Sequence, residues 1–187
     1  MPLVAHTKLP TFRRLEEEGY EVISCDRAYH QDIRELHIGL LNMMPDKALA
    51  ATERQFFRLV GDSNPIAQFY MHPFTLPQLS RSDAARTHID KYYDTFERVR
   101  EQGLDALIIT GANVTHPDLS QEAFWQPLIE VVDWAYANVT SVLCSCLATH
   151  AVMQFHHGQK RTHMGDKLWG VYSHSVVDRT HPLVNDA

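Results

Sequence analysis

The feature that most constrains this chain is an alternation of two periods. Short apolar runs, each long enough for one buried strand, take turns with segments whose apolar residues recur at helical spacing. Residues 36–42 (Leu-His-Ile-Gly-Leu-Leu-Asn) read as a buried strand. Pro45 and Asp46 then suit a helix start, with proline early and a carboxylate in the first turn. That helix is predicted to run to about Val60, with Leu49, Phe56 and Val60 on one face, and to stop at 61–65. Residues 66–71 form a second predicted strand and 72–82 a loop. One long polar helix is expected over 83–102, capped by Gly103. A third strand over 104–109, a helix over 122–137, a fourth strand over 139–144 and a helix over 147–155 follow. One or two final strands are expected over 168–177.

Strands alternating with helices imply an α/β fold, with a mostly parallel sheet and helices on both faces. Residues 1–35 are polar and mixed, with a short helix over 12–18. They are read as an N-terminal extension packed on a domain spanning 36–187. With 187 residues, 44% hydrophobic and 21% charged, the chain suits one domain with one core. The formal charge is −6 and there is no basic stripe, which argues against nucleic acid as a partner. The apolar runs fall far short of the ~18 residues that a membrane helix needs. The first ten residues hold no apolar signal segment, so a cytoplasmic location is expected, with no membrane partner.

Three cysteines, Cys25, Cys144 and Cys146, do not make a disulfide framework, which leaves room for a reactive thiol. The twelve histidines include no H-E-x-x-H and no paired C-x-x-C pattern, so no metal site is expected. In a parallel sheet, ligands bind beyond the carboxyl ends of the strands, and three segments put notable residues there. In 141–148 (Ser-Val-Leu-Cys-Ser-Cys-Leu-Ala) a strand, one polar turn and a helix succeed one another. Cys146 is flanked at two positions on either side by the small residues Cys144 and Ala148. A nucleophile elbow needs that pattern, because bulky side chains two positions away would clash. A helix N-terminus also favours the thiolate. The competing reading is a buried core cysteine, which suits Cys144 better.

The second segment is the strand ending in Thr110-Gly111-Ala112. Its bare backbone N–H groups, with that of Leu147, are candidates for an oxyanion hole, although glycine after a strand is usually only a turn. The third is Lys47. In a first helical turn a lysine opposes the helix dipole, so a nearby anion would account for it, and so would a solvated surface position.

These residues resemble the homoserine O-succinyltransferase family. Residues 41–47 and 52–56 resemble its N-L-M-P-x-K…T-E-x-Q-F signature. Residues 108–112 resemble its strand ending in T-G-A-P, and Trp125 to Trp134 its tryptophan-flanked helix. Residues 140–148 match its cysteine elbow, and 167–174 resemble its K-L-x-G-V-x-x-H. The resemblance runs from about residue 8 to the end. It implies a fold like that of class I glutamine amidotransferases. It also implies transfer of a succinyl or acetyl group from acyl-coenzyme A to homoserine through a cysteine thioester, in methionine biosynthesis, with acyl-coenzyme A as co-substrate and no bound cofactor. By position, Cys146 matches the nucleophile, Lys47 the active-site lysine and Lys167 a substrate-binding lysine.

Several departures stand beside it. Two extra residues separate Lys47 from Thr52, and Asn113 replaces a proline. Thr115 takes a substrate-binding position where the family carries Gly or Glu, the residue linked to succinyl or acetyl preference, so the donor stays open. The family's H-x-E base motif is not found here, since no histidine is followed two residues later by Glu. The chain is therefore expected to be C-terminally incomplete, to expose a sheet edge or pair as a homodimer, and to turn homoserine over poorly. Two rivals remain: a cysteine amidotransferase or hydrolase of similar fold, and a non-catalytic homologue. Against the amidotransferase, the elbow lacks flanking glycines and His150 stands where that group has Gln.

Overall fold

The computed structural model describes residues 3–162, 164–165, 170–182 and 184. The elements in order are β1 (Leu3–Ala5), α1 (Pro10–Glu17), β2 (Val22–Ser24), α2 (Cys25–Tyr29), β3 (Glu35–Leu41), a 3₁₀ turn (Asp46–Ala48) and α3 (Leu49–Gly61). Then come β4 (Gln68–Phe74), α4 (Asp83–Tyr92), α5 (Phe96–Gln102), β5 (Ala106–Ile109), a second 3₁₀ turn (Leu119–Gln121), α6 (Trp125–Asn138), β6 (Ser141–Cys144) and α7 (Leu147–His157). The six strands form one sheet in the order β2-β1-β4-β3-β5-β6, and every pairing is parallel. The α/β architecture expected from the alternating periods is the one observed.

Helices cover both faces. On one side Leu3, Ile38, Leu40, Phe69, Met71 and Ile108 pack under α1 and α3 through Phe12, Leu15 and Phe57. On the other, Leu41, Phe74, Leu107 and Ile109 pack against Val99 of α5, Leu128, Val131 and Ala135 of α6, and Leu147, Ala148 and Ala151 of α7. Alternate residues of β3 therefore serve opposite cores, which is why its sequence reads as a continuous apolar run. Among the described residues, no helix is long and apolar enough to cross a membrane.

The structure departs from expectation in four places. First, residues 1–35 contribute two strands to the sheet, β1 and β2, paired residue for residue from Leu3↔Val22 to Ala5↔Ser24. Each is only three residues long, too short to show a period, so pairing defines them. Second, the 83–102 helix is broken. Asp94 pairs with Phe74 in an isolated parallel bridge, its N–H donates to the Pro73 carbonyl at 2.8 Å, and Thr95 caps α5 by accepting from the Arg98 N–H. Third, β4 continues through Pro73 to Phe74. Pro73 is tolerated because β1 ends before reaching it, so no strand there requires its missing N–H. Fourth, no strand is present in the described part of the 168–177 segment, Gly170 to Val177, which is exposed. β-Propensity without a partner strand does not make a strand. Residues 166–169 lie outside the described residues.

A buried polar network fastens these layers. Glu53 of α3 is fully buried, and its carboxylate accepts from Thr11 Oγ1 (2.5 Å), Tyr93 Oη (2.7 Å) and His88 Nε2 (2.9 Å). Asn42 Nδ2, at the end of β3, donates to Tyr93 Oη (3.0 Å) and to the Leu49 carbonyl (3.2 Å). Burial, then the neighbouring Glu53 charge, pushes the Tyr93 hydroxyl far above its usual range, so it remains a donor. Tyr93→Phe leaves Glu53 and Asn42 each short of a partner. It should cost about 1–3 kcal/mol in urea unfolding, because an unsatisfied buried group bears its desolvation penalty; an unchanged midpoint would contradict this role.

A second polar cluster lies on the α5–α6 face of the sheet. His37 Nδ1 is 2.9 Å from His72 Nε2, His72 Nδ1 is 3.3 Å from Asp94 Oδ2, and the His6 ring centroid is 5.0 Å from that of His72. Burial first, with neighbouring imidazoles adding to it, holds both His6 and His37 below the usual histidine range. The fold thus binds fewer protons than the unfolded chain as pH falls through the ordinary value of 6.5. Stability should fall with pH from that point down to the folded-state values, and be fully present above it. The melting temperature should drop between about pH 7.5 and 5.5, and His37→Phe should flatten that slope.

Candidate active site

The three segments singled out in the sequence converge on one edge of the sheet. β5 lies between β3 and β6, and all three run in the same direction. The loop after β3 carrying Lys47, the turn after β5 carrying Gly111 and the turn after β6 carrying Cys146 therefore share the carboxyl edge. β6 stands at the margin of the sheet among the described residues, rather than in its centre. Val142 and Leu143 are 39% and 55% exposed, so this margin is apolar and open.

Cys146 is the N-cap of α7, with φ 57° and ψ −118°. Among the described residues it is the one non-glycine with positive φ. Such a conformation typically costs about 1–3 kcal/mol and persists only where its surroundings impose it. Here Ser145 N–H donates to the Ile109 carbonyl (2.9 Å), extending the β5–β6 ladder to the residue before the cysteine. Beyond it, Thr149 N–H donates to the Cys146 carbonyl (3.1 Å), and Thr149 Oγ1 donates to the Cys144 carbonyl (3.1 Å). The turn is clamped from both sides, and the thiol stands exposed at the strand–helix junction. That is the geometry of a nucleophile elbow.

Gly111 is what the elbow needs beside it. A Cβ there would lie 3.2 Å from Cys146 Cβ, 3.3 Å from Sγ and 3.6 Å from Leu147 N. The bare backbone of residue 111 is thus packed directly against the cysteine and the first N–H of α7. Gly111, Ala112 and Leu147 make no turn or loop hydrogen bond through their N–H groups among the described residues, and an N1 residue has no intrahelical acceptor. Thr110 connects this turn to the Lys47 loop: its Oγ1 accepts from the Met43 N–H (2.8 Å) and donates to the Gly111 carbonyl (3.0 Å).

Lys47 lies in the 3₁₀ turn, not within the α-helix, and is exposed. Its loop is held from beneath by Arg81, a residue that no local pattern singles out. The buried Arg81 guanidinium donates to the carbonyls of Met44 (2.5 Å) and Asn42 (3.2 Å), to Thr75 Oγ1 (3.1 Å) and to Asp46 Oδ1 (3.3 Å). Asp46 Oδ2 also accepts from the Ser82 N–H (2.8 Å); that bond foremost, with Arg81, holds its carboxyl below the usual range.

Thr115 is exposed in the loop after Gly111. Glu122 organises that loop by accepting from the N–H groups of Thr115 (2.6 Å) and His116 (2.7 Å), with Thr115 Oγ1 3.4 Å away. Burial opposes ionisation of Glu122, but these two backbone donors outweigh it and its carboxyl is held low. Arg161 and Lys160, beyond α7, reach back to the same loop at His116, Pro117 and Asp118. Glu122 is a second residue not expected from sequence, since a single acid ahead of a helix has no distinguishing period. His150, one turn beyond Cys146, is exposed. Lys167 lies outside the described residues.

The other thiols differ. Cys144 is half-buried, and burial pushes its thiol up. Cys25 is exposed, and its Sγ donates to the Ala5 carbonyl at 3.7 Å. Iodoacetamide at neutral pH should label Cys146 first and Cys144 last, read by peptide mass. Gly111→Val should slow labelling at Cys146 alone; preferential labelling of Cys25 would contradict the elbow.

A family model described as "HTS: Homoserine O-succinyltransferase" matches residues 2–187. The homoserine O-succinyltransferase of Methylococcus capsulatus is 69% identical over 186 residues, covering 100% of this chain and 52% of the relative. That of Allochromatium vinosum is 68% identical with the same coverage, and that of Thiobacillus denitrificans is 68% identical, covering 100% of this chain and 53% of the relative. The chain spans about half the length of the curated relatives it matches. A match this long, carrying the cysteine elbow and the Lys47 loop together, means that the chain belongs to the homoserine O-succinyltransferase family.

Proposed function

We propose that this chain carries the nucleophile half of a homoserine O-acyltransferase acting in methionine biosynthesis. The observation that carries the reading is Cys146 itself, an exposed thiol in a strained strand-to-helix turn with the backbone of Gly111 packed against it. In the first half-reaction the Cys146 thiolate attacks the carbonyl carbon of an acyl-coenzyme A. The carbon–sulfur bond to coenzyme A breaks, coenzyme A leaves as the thiolate and takes up a proton, and the acyl group stays on Cys146 as a new thioester. The backbone N–H groups of Gly111, Ala112 and Leu147 are the donors for the tetrahedral oxyanion. In the second half-reaction the homoserine hydroxyl attacks that thioester, gives up its proton to a base, and releases the Cys146 thiolate. A thioester is reactive enough for an alcohol once the proton is removed.

Lys47 supplies positive charge for an anionic group of the substrates, and Thr115 and Lys167 contribute to substrate binding. Succinyl-coenzyme A is the favoured donor, because the relatives bear that name; Thr115 keeps acetyl-coenzyme A as the second donor to test. The reaction as read uses no bound cofactor. The fold is read as related to that of class I glutamine amidotransferases, the location as cytoplasmic and the assembly as a homodimer. General base catalysis is typically worth ~10²–10⁴-fold. His150 and His174 are the two candidates to stand in for the base, and either would have to reach the reacting proton without the family's H-x-E motif, so acylation is expected to be much faster than transfer to homoserine.

Intact-mass spectrometry of this chain after mixing with succinyl- or acetyl-coenzyme A should show one added acyl group, absent in Cys146→Ala. Steady product formation from homoserine should be slow or absent. Hydrolysis of glutamine without acylation would replace this reading by the amidotransferase one. A chain that folds but takes up no acyl group would favour a non-catalytic homologue.

A further inference from the structure

We propose that Arg81 is a positioning residue for Lys47: it fixes the backbone that presents the lysine amine at the carboxyl edge shared with Cys146. The proposal rests on the reading of Lys47 as a site residue. Arg81 is only 8% exposed, and three of its donor contacts go to the Lys47 loop, at the Asn42 and Met44 carbonyls and Asp46 Oδ1, while a fourth reaches Thr75 Oγ1 just after β4. A planar guanidinium can hold several acceptors in a set geometry, whereas a lysine ammonium at the same place could not span them. The arrangement serves the loop specifically. Its Nε is buried without a protein partner, so the burial is not repaid by full pairing within the core.

The consequence is visible along the chain. Residues 42–44 are fixed by Arg81 on one side and by Thr110 on the other, through the Met43 N–H. Asp46 is fixed by Arg81 and by the Ser82 N–H, and Leu49 is buried in the core. Lys47 therefore stands between two anchored neighbours in a 3₁₀ turn, while itself exposed and in none of the ion pairs found among the described residues. An exposed cation on so constrained a backbone is preorganised: its position is set before substrate arrives, and only side-chain torsions remain to be ordered. Thr110 also bonds to the Gly111 carbonyl, so the same framework carries the placement of Lys47 relative to the turn packed against Cys146.

The test is a double-mutant cycle on the protein at its natural length, following the rate constant for acylation of Cys146 by succinyl-coenzyme A in rapid-quench mass spectrometry. Lys47→Ala and Arg81→Gln should each slow acylation by about 10–100-fold, the order expected when a binding group is misplaced by an ångström. In Lys47→Ala/Arg81→Gln the second change should cost almost nothing further, because both remove the same interaction. If Arg81→Gln does not fold, Asp46→Asn replaces it; it weakens one anchor of the turn and should give a smaller loss, again absent in the Lys47→Ala background. Losses that multiply in the double variant, or a folded Arg81→Gln with unchanged acylation, would overturn the proposal while leaving Lys47 in the site. An unchanged rate in Lys47→Ala would overturn both the proposal and the reading of Lys47 beneath it.

Discussion

The site depends on how closely the turn after β5 approaches the turn after β6. Parallel pairing sets that approach: Ile109 lies opposite Cys144, and Ser145 N–H continues the ladder to the Ile109 carbonyl. Two residues beyond the Ile109–Cys144 pair, the backbone of Gly111 meets Cys146, where even a methyl group would crowd the sulfur. Because strand register is specified by side chains alternating between two cores, a slip of one residue would turn Leu107 and Ile109 out of their core as well as separating the two turns. The elbow is thus tied to the packing of the whole sheet.

The Lys47 loop is governed differently. It has no ladder of its own beyond Asn42, and polar contacts take over where the ladder stops. Arg81 donates to the Asn42 and Met44 carbonyls, Asn42 donates to the Leu49 carbonyl and to Tyr93, and Glu53 with Tyr93 fastens the base of the same region to α1, α3 and α4. Such buried networks cost much if broken, because each member removed strands its partners. They also give the loop one arrangement rather than several. This accounts for the Asn42 and Glu53 of the motif that resembles the family: both are buried fasteners rather than groups that face a substrate.

The relatives are about twice as long as this chain, and the residues described above correspond to only part of their length. Among the described residues, the Cys146 turn, the Gly111 turn and the exposed Lys47 share one edge of the sheet. Those are the parts that the proposed acylation step uses, while alcohol attack on the thioester needs a base in addition.

Much of this was legible in the sequence. Alternating periods were enough for a parallel α/β sheet, since each pattern is local and is repeated along the chain. The small residues around Cys146 marked a tight turn, because a steric requirement on near neighbours leaves a local trace. Tertiary structure alone decided the rest. β1 and β2 exist because neighbours pair with them, three residues being too few to show a period. The break between α4 and α5 arises from the contacts of Asp94 with Phe74, Pro73 and His72, none of them near it in sequence. The expected strands over 168–177 show the converse in their described part, where favourable residues find no strand to pair with. Arg81 and Glu122 gained their roles from partners brought together by folding, and a lone charged residue in a loop carries no local mark of such a partner.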